Sequence, residues 1–273
     1  MKVVLITNNS LKSKYLEKLI VENDINLVKV IRFVRKRKSD ESLILNIFTK
    51  LRSTAGKLKR RILQTSITNK ALDFEAKCKD YYEQKLFNYI NSEANGKIET
   101  GVDTMLVEDI NSDSVVSELK RISPDICVVW GTPIIRKNVL ATCEMFVNAH
   151  TSILPDFKGT RSEFWQCIEN RPNKVGVTFH KIDAGVDTGQ IIEQISQKNL
   201  IPFESYHLRY QNTIIILENY VKIILSVING TAMFSVQKQN ENSKTYKSSD
   251  ITIPLRVECY SELLKSNKNF NES

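Results

Sequence analysis

Apolar residues follow two rhythms along this chain. The opening Met1-Lys-Val-Val-Leu-Ile6 is a short, almost unbroken apolar run that gives way to Thr7-Asn8-Asn9-Ser10, the pattern of a first strand and its turn. Leu11 to Val21 then carries apolar side chains at 11, 16, 19 and 20, a helical stripe, and Ile25 to Val34 returns to strand-like alternation. This β-α-β opening predicts a parallel sheet, and open α/β sheets gather their ligands beyond the carboxyl ends of the strands.

The rhythms continue downstream. Leu43, Ile44, Ile47, Phe48 and Leu51 recur at helical spacing, as do Phe74, Cys78, Tyr81, Tyr82, Leu86 and Phe87 within Ala71 to Ile90. Lys97 to Val107 is irregular, and a helix is predicted over 112–121 with Asn111 or Ser112 as its cap. Short strands are predicted at Met145 to Val147, Val175 to His180 and Gln190 to Ile195. A long helix, Tyr206 to Ile228, carries Leu208, Ile215, Ile216, Tyr220, Ile223, Ile224 and Val227, and Gly230 ends it. The polar stretch Lys238 to Asp250 reads as an exposed tail or hairpin. The fold class is therefore α/β: a Rossmann-like, mostly parallel sheet flanked by helices. A main domain is expected over 1–230 with a basic helical insertion at about 35–95, followed by a short C-terminal appendage over 231–273.

Composition changes the picture in two places. Of the net charge of +8, much lies between Arg32 and Arg61, where eleven Lys or Arg face two acidic residues, Asp40 and Glu41. Aromatics are not interleaved with these charges, which disfavours nucleic acid; a structural insertion is favoured, with contact to a membrane surface as the minority reading. The five cysteines, Cys78, Cys127, Cys143, Cys167 and Cys259, are widely spaced without a Cys-x-x-Cys pair, so reduced thiols in the cytoplasm are expected and no metal ligation. The N-terminal run is too short for a signal peptide and no stretch is read as a membrane span, so a soluble protein is expected.

The candidate chemistry lies between Asn148 and Gly189. A strand ending in Asn148-Ala-His150 delivers Asn148 and His150 to one face and turns Ala149 away. An amide with two donors beside an imidazole can hold a carbonyl oxygen as it gains negative charge. Asp187, on the glycine-flanked loop that follows Val175 to His180, can orient His150 or accept a proton from an attacking amine. Acyl transfer to nitrogen needs this division of labour and no nucleophilic serine or cysteine. His180 reads equally well as a half-buried strand residue or a site member, and His207 as a helix cap or surface decoration.

Asn148-x-His150 with the tail Ser152-Ile-Leu-Pro155, then Phe157-Lys158-Gly159 and the loop Asp187-Thr-Gly189, resembles the folate-dependent formyltransferases. The resemblance spans about residues 98 to 230. It implies Asn148, His150 and Asp187 as the catalytic trio and N10-formyltetrahydrofolate as formyl donor. Pro124 to Ile135 is similar to that family's buried strand and folate-lining loop, which implies Trp130, Gly131, Thr132, Pro133, Ile134 and Ile135, with Asp183 and Gly185 from the later loop, as cofactor-binding residues. The backbone amides of Asn8, Asn9 and Ser10 open a helix and offer themselves to an anion.

Gly159-Thr-Arg161-Ser-Glu-Phe-Trp165 is similar to formyltransferases of bacterial surface-polysaccharide pathways, lipopolysaccharide included. The acceptor so implied is an amino sugar, nucleotide-linked, with Lys158, Arg161 and Trp165 in its pocket. About forty residues after the catalytic part are too few for the extra domain of methionyl-tRNA formyltransferases, which argues against a tRNA acceptor. Three other readings stay open: a formyltetrahydrofolate hydrolase, transfer to another small amine, and a non-catalytic folate- or partner-binding module. Oligomeric state is open too, with 231–273 the candidate segment for a homodimer.

Overall fold

A strand points successive side chains to opposite faces, and in the first strand both faces are buried: Val3 and Leu5 enter one hydrophobic cluster while Val4 and Ile6 enter another. The computed structural model describes residues 1–35, 58–96, 98–239 and 243–266. Its larger unit comprises residues 1–34 and 78–251. Strands β1 (Val3–Asn8), β2 (Leu27–Phe33), β3 (Thr104–Val107), β4 (Ile126–Trp130), β5 (Phe146–His150), β7 (Gly176–Lys181) and β8 (Ile191–Ser196) form one sheet in the order β3-β2-β1-β4-β5-β7-β8. The first five pair in parallel and the last two antiparallel, so the Rossmann-like, mostly parallel sheet is as the sequence predicts. β3 falls where only irregular chain was expected; at four residues with an exposed Leu106 it is too short and too mixed to announce itself.

The chain runs outward from β1 to β3 and then returns to lay β4 on the other side of β1. The carboxyl ends of β1 and β4 therefore flank a topological switch point, the place where loops on either side diverge and leave a crevice. Helix α1 (Leu11–Glu22) covers one face with Tyr15, Leu16 and Ile20, and α3 (Asp113–Ile122) covers the other with Val115 and Leu119. Asn111 does not cap α3. Its amide instead donates to the carbonyl of Ile134 at 3.0 Å and its Oδ1 accepts from the amide of Arg136 at 2.7 Å, fixing the loop after β4. Ser112 occupies the cap position without a side-chain capping bond.

Two helices depart from the expectation. α2 (Leu58–Glu93) is 36 residues long, well beyond the stretch its apolar spacing marks. α6 (Ser205–Ile228) is long and apolar enough by length and mean hydropathy, 1.2, to cross a membrane, against the expectation that no stretch would be. Its apolar side is accounted for by the sheet: Ile216, Tyr220, Ile223 and Ile224 are buried in the same cluster as Leu5 and Phe179. Glu204 caps it, accepting from the amides of Tyr206 and His207 at 2.9 Å each, while His207 is buried and bonds the carbonyl of Pro202.

The second unit comprises residues 35–77 and 252–273. Within it, Arg256 on α7 (Ile253–Ser266) donates from Nε to Glu75 at 2.7 Å, and Phe74 meets Tyr260 edge-on at 6.3 Å. The segment 231–273, expected as a tail or hairpin, thus includes a helix. The amphipathic stretch Leu43 to Leu51 lies outside the described residues, as does most of the basic segment. Arg32, counted with those charges, is a core residue of β2, 6% exposed and ion-paired with Glu17.

Tyr220 shows how the sheet's centre is held. It is fully buried, and its hydroxyl reaches the carbonyl of Val129 in β4 at 2.8 Å and that of Val147 in β5 at 2.7 Å. A hydroxyl that bridges two buried acceptors leaves them short of a donor when removed. Tyr220→Phe is expected to cost about 1–2 kcal/mol of unfolding free energy in urea titration; an unchanged midpoint would show that the two strands do not depend on it.

Candidate functional site

Pairing of β5 with β7 sets Asn148 opposite His180 and His150 opposite Thr178, so one sheet face presents an amide and two imidazoles. The loop after β7 brings back Asp187, a non-glycine residue at φ 51°, in the left-handed region where a short polar side chain is tolerated. Asp187 Oδ2 lies 3.4 Å from His150 Nδ1 and accepts from the amide of Gly159 at 2.7 Å; Oδ1 lies 3.5 Å from His180 Nε2. Burial would raise the pKa of this carboxyl, but the charge of His150, the hydrogen bond and charge of His180, and the Gly159 amide outweigh it and hold Asp187 ionised, well below the usual carboxylate range.

The two imidazoles are fixed from behind. A carbonyl oxygen only accepts, so His150 donates from Nε2 to Phe157 at 2.9 Å and His180 donates from Nδ1 to Lys181 at 3.0 Å. Nε2 of His180 is then left to accept from Asn148 Nδ2 at 3.1 Å when neutral, or to donate to Asp187 when protonated. Asn148 keeps a second amide hydrogen for a ligand. His150, 6% exposed, does not line the cavity described below; it backs Asp187, whereas Asn148, His180 and Asp187 do line it. The expectation of His150 as a direct oxyanion donor is corrected to that extent: its Nε2 is aimed at Phe157.

Those residues open onto a cavity of about 730 Å³, within the range of small-molecule sites. One wall is Trp130, Gly131, Thr132, Pro133, Ile134 and Ile135, all six predicted from sequence. Gly131 sits at φ +68°, and a Cβ there would meet Asn8 Nδ2 at 2.6 Å; the same Nδ2 donates to the Gly131 carbonyl at 2.9 Å. The Asp183–Gly185 loop forms a second wall, its turn closed by Asp183 Oδ1 accepting from the Gly185 amide at 2.9 Å and from Thr188 Oγ1 at 2.6 Å. Val129, Ile135 and Ile182 with the loop backbone make a surface suited to a flat heterocycle with several hydrogen-bonding edges, the chemistry of a folate ring.

The acceptor-side expectations are met only in part. Arg161 and Gly159 line the cavity. Lys158 is turned inward, its Nζ 2.8 Å from Gln239 Oε1, and Trp165 is 7% exposed and stacked at 4.7 Å on Tyr246. Asn8, Asn9 and Ser10 do not line it either: Asn8 Oδ1 already accepts from the Ser10 amide at 3.1 Å and from Ser13 Oγ at 3.0 Å, so the turn closes on itself.

Sequence reasoning missed Lys12, Glu163, Arg209, and the stretch Thr245 to Ser248, all of them cavity-lining. That stretch comes from the supposed tail. β9 (Thr245–Tyr246) pairs in parallel with β6 (Lys158–Gly159), and a Cβ on Gly159, at φ +94°, would fall 2.1 Å from the Tyr246 carbonyl. The lone aromatic in a polar run, Tyr246, was the available signal.

A protein-family model described as formyl transferase matches residues 18–205. The methionyl-tRNA formyltransferase of Finegoldia magna is 31% identical over 114 residues, 40% of this chain and 36% of that protein. The chain thus spans well under half the length of the curated relatives it matches. Among solved structures, a 4-N formyltransferase from Francisella tularensis superposes with a TM-score of 0.57 at 13% identity, covering 95% of this chain and 87% of that one. An N-formyltransferase from Helicobacter canadensis, in complex with folinic acid and dTDP-3-aminofucose, gives 0.52 at 17% identity, covering 97% and 82%. At such identities the likeness is one of fold.

The electrostatics carry a sign. Asp187 has a folded pKa below its unfolded value of about 4, so the ionised carboxylate adds stability above that value and the gain is lost as pH falls toward the folded pKa. Asp187→Asn should therefore lower stability at neutral pH and flatten the acid limb below about pH 4. Denaturation curves at a series of pH values read this directly, and wild type and variant running parallel into acid would refute it.

Proposed function

Because the chain belongs to the formyl transferase family, we propose that it transfers a formyl group from N10-formyltetrahydrofolate to the amine of an amino sugar, carried on a nucleotide, in surface-polysaccharide synthesis. The observation that carries the reading is the meeting of Asn148, His180 and an ionised Asp187 in one cavity. Support for the sugar comes from fold relatives, one of them bound to dTDP-3-aminofucose. The cytoplasm is the proposed compartment, in keeping with five cysteines none of which is in a disulfide.

The donor, when bound along the loops 130–135 and 183–185, supplies a formyl carbon attached to nitrogen. Asn148 then directs its free amide hydrogen at the formyl oxygen as the neutral amine adds to the carbon and that oxygen gains charge. Asp187, ionised at neutral pH and at the cavity wall, takes the proton that the amine loses on forming its new bond. The same proton leaves with the folate nitrogen when the old carbon–nitrogen bond breaks, so no net proton is produced. His150 holds Asp187 in place and favours its charge; His180 aligns Asn148.

Mass spectrometry of nucleotide-linked amino sugars incubated with protein and formyl donor should show one formyl group added to a member of the panel. Formate in place of that product identifies a hydrolase, and formylation of methionyl-tRNA instead identifies a different acceptor. Asn148→Ala should fold and bind folinic acid yet lose roughly 100- to 1,000-fold in kcat; near-normal turnover would remove Asn148 from the mechanism.

A further inference from the structure

Two other buried charges in this unit have close counter-ions, although Arg32 Nη1 and Asp156 Oδ1 are each left without a hydrogen-bond partner. Arg32 meets Glu17, and buried Asp156 is paired with Lys174 at 3.0 Å and Arg171 at 3.4 Å. The wall of the cavity at α1, α5 (Ser162–Ile168) and α6 breaks that habit. Glu163, in the first turn of α5, is 2% exposed; its Oε1 is buried without a hydrogen-bond partner, and its Oε2 reaches Arg209 only at 4.0 Å. Arg161 has a buried Nε without an acceptor, and its far end touches the Tyr206 hydroxyl at 3.4 Å. The guanidinium groups of Arg161 and Arg209 lie 5.7 and 5.6 Å from the Tyr206 ring, and Lys12 Nζ lies 4.6 Å from that of Trp130.

Buried polar groups are normally satisfied, and the exceptions need a reason. At this wall Lys12, Arg161, Arg209 and Glu163 line the cavity, with one donor, Arg161 Nε, and one acceptor, Glu163 Oε1, left over. A ligand that completes them must bring anionic oxygens for Lys12, Arg161 and Arg209 and a hydroxyl donor for Glu163. Inorganic phosphate or diphosphate offers the first and, for the second, only a P–OH held against its own negative charge, which the Glu163 carboxylate repels. A sugar bearing a phosphate or diphosphate ester offers both.

We propose that Lys12, Arg161, Arg209 and Glu163 form the acceptor subsite, in which the cations receive the phosphate ester and Glu163 receives a sugar hydroxyl and so selects against bare anions. This rests on the acceptor reading given above and assigns residues and a selection rule to it. Lys12 adds a pH signature. Burial, and then Arg209, lower its pKa to about 8 against the opposing pull of Glu163. These two charged groups face it, together with the Trp130 ring. A bound phosphate ester favours the charged form of Lys12, so affinity falls as pH rises through about 8.

Calorimetric titration of the full chain with inorganic diphosphate and with UDP-N-acetylglucosamine as a non-reacting sugar ester tests this, with folinic acid as a separate probe of the folate walls. Lys12→Met and Arg209→Met should each weaken the sugar ester by about tenfold or more, as expected for a hydrogen bond to a charged group, and leave folinic acid unchanged. Glu163→Gln should bind diphosphate more tightly and the sugar ester more weakly, an inversion that a merely structural carboxylate would not produce. Lys12→Arg should keep sugar-ester affinity and abolish its decline above pH 8. Sugar-ester affinity within twofold of wild type in both methionine variants, or no binding of the ester by the wild type, overturns the subsite. A wild type that binds the ester and not folinic acid leaves the subsite standing and sinks the transfer reaction instead.

Discussion

One buried carboxylate organises this site. Asp187 joins three separate pieces of chain: β5 through His150, β7 through His180, and the loop at β6 through the Gly159 amide. A carboxylate removed from water is tolerated only when charge and hydrogen bonds replace its hydration. Those partners do so here, and in doing so they fix where a proton can be received. Phe157, Arg161 and Asp187 all adopt left-handed φ values, 52°, 61° and 51°, and backbone strain of that kind persists only where the surroundings determine it. Phe157 and Arg161 flank β6, whose Gly159 amide the carboxylate holds, and the third is the carboxylate's own residue.

The sheet supplies the rest of the geometry. Returning from β3 to β4 opens the crevice beside β1, and Asn8, at the end of β1, holds the Gly131 carbonyl at the end of β4. The polar turn at the start of α1 serves as a clamp on the loop after β4. Cationic side chains stand elsewhere, on α1, α5 and α6, with the Arg161 and Arg209 guanidiniums 5.7 and 5.6 Å from the Tyr206 ring. The two ends of the cavity are thus built on different physical principles, an apolar loop surface at one and unmatched charge at the other.

The central sheet was legible because β1, β4, β5 and β7 are apolar runs of strand length, and the long helix because its stripe persists over 24 residues. Asn148 and Asp187 were legible because their spacing and flanking glycine are unusual together. His180 was ambiguous because strand alternation alone gives no clue to which buried imidazole faces a carboxylate. Lys12 and Arg209 resembled any surface cation on a helix; only the tertiary packing that half-buries Lys12 against Trp130 and sets Glu163 4.0 Å from Arg209 distinguishes them. Tyr246 was hidden for another reason: a two-residue parallel pairing with a strand some ninety positions earlier has no local pattern at all.

That late pairing governs the order in which the molecule can be completed. The cavity wall draws on Lys12 near one extreme of the unit and on Ser248 near the other. A chain made from its N-terminus contains the sheet strands, the loop after β4 and the Asp187 cluster while residues 245–248 are still unmade, so those groups precede the wall that encloses them. Closing so long a loop is entropically slow compared with the local contacts of α1 or α6. Enclosure of the site thereby waits on residues 245–248, made after every strand of the main sheet: strands alone do not enclose it, and without Tyr246 the Trp165 ring has lost its stacking partner.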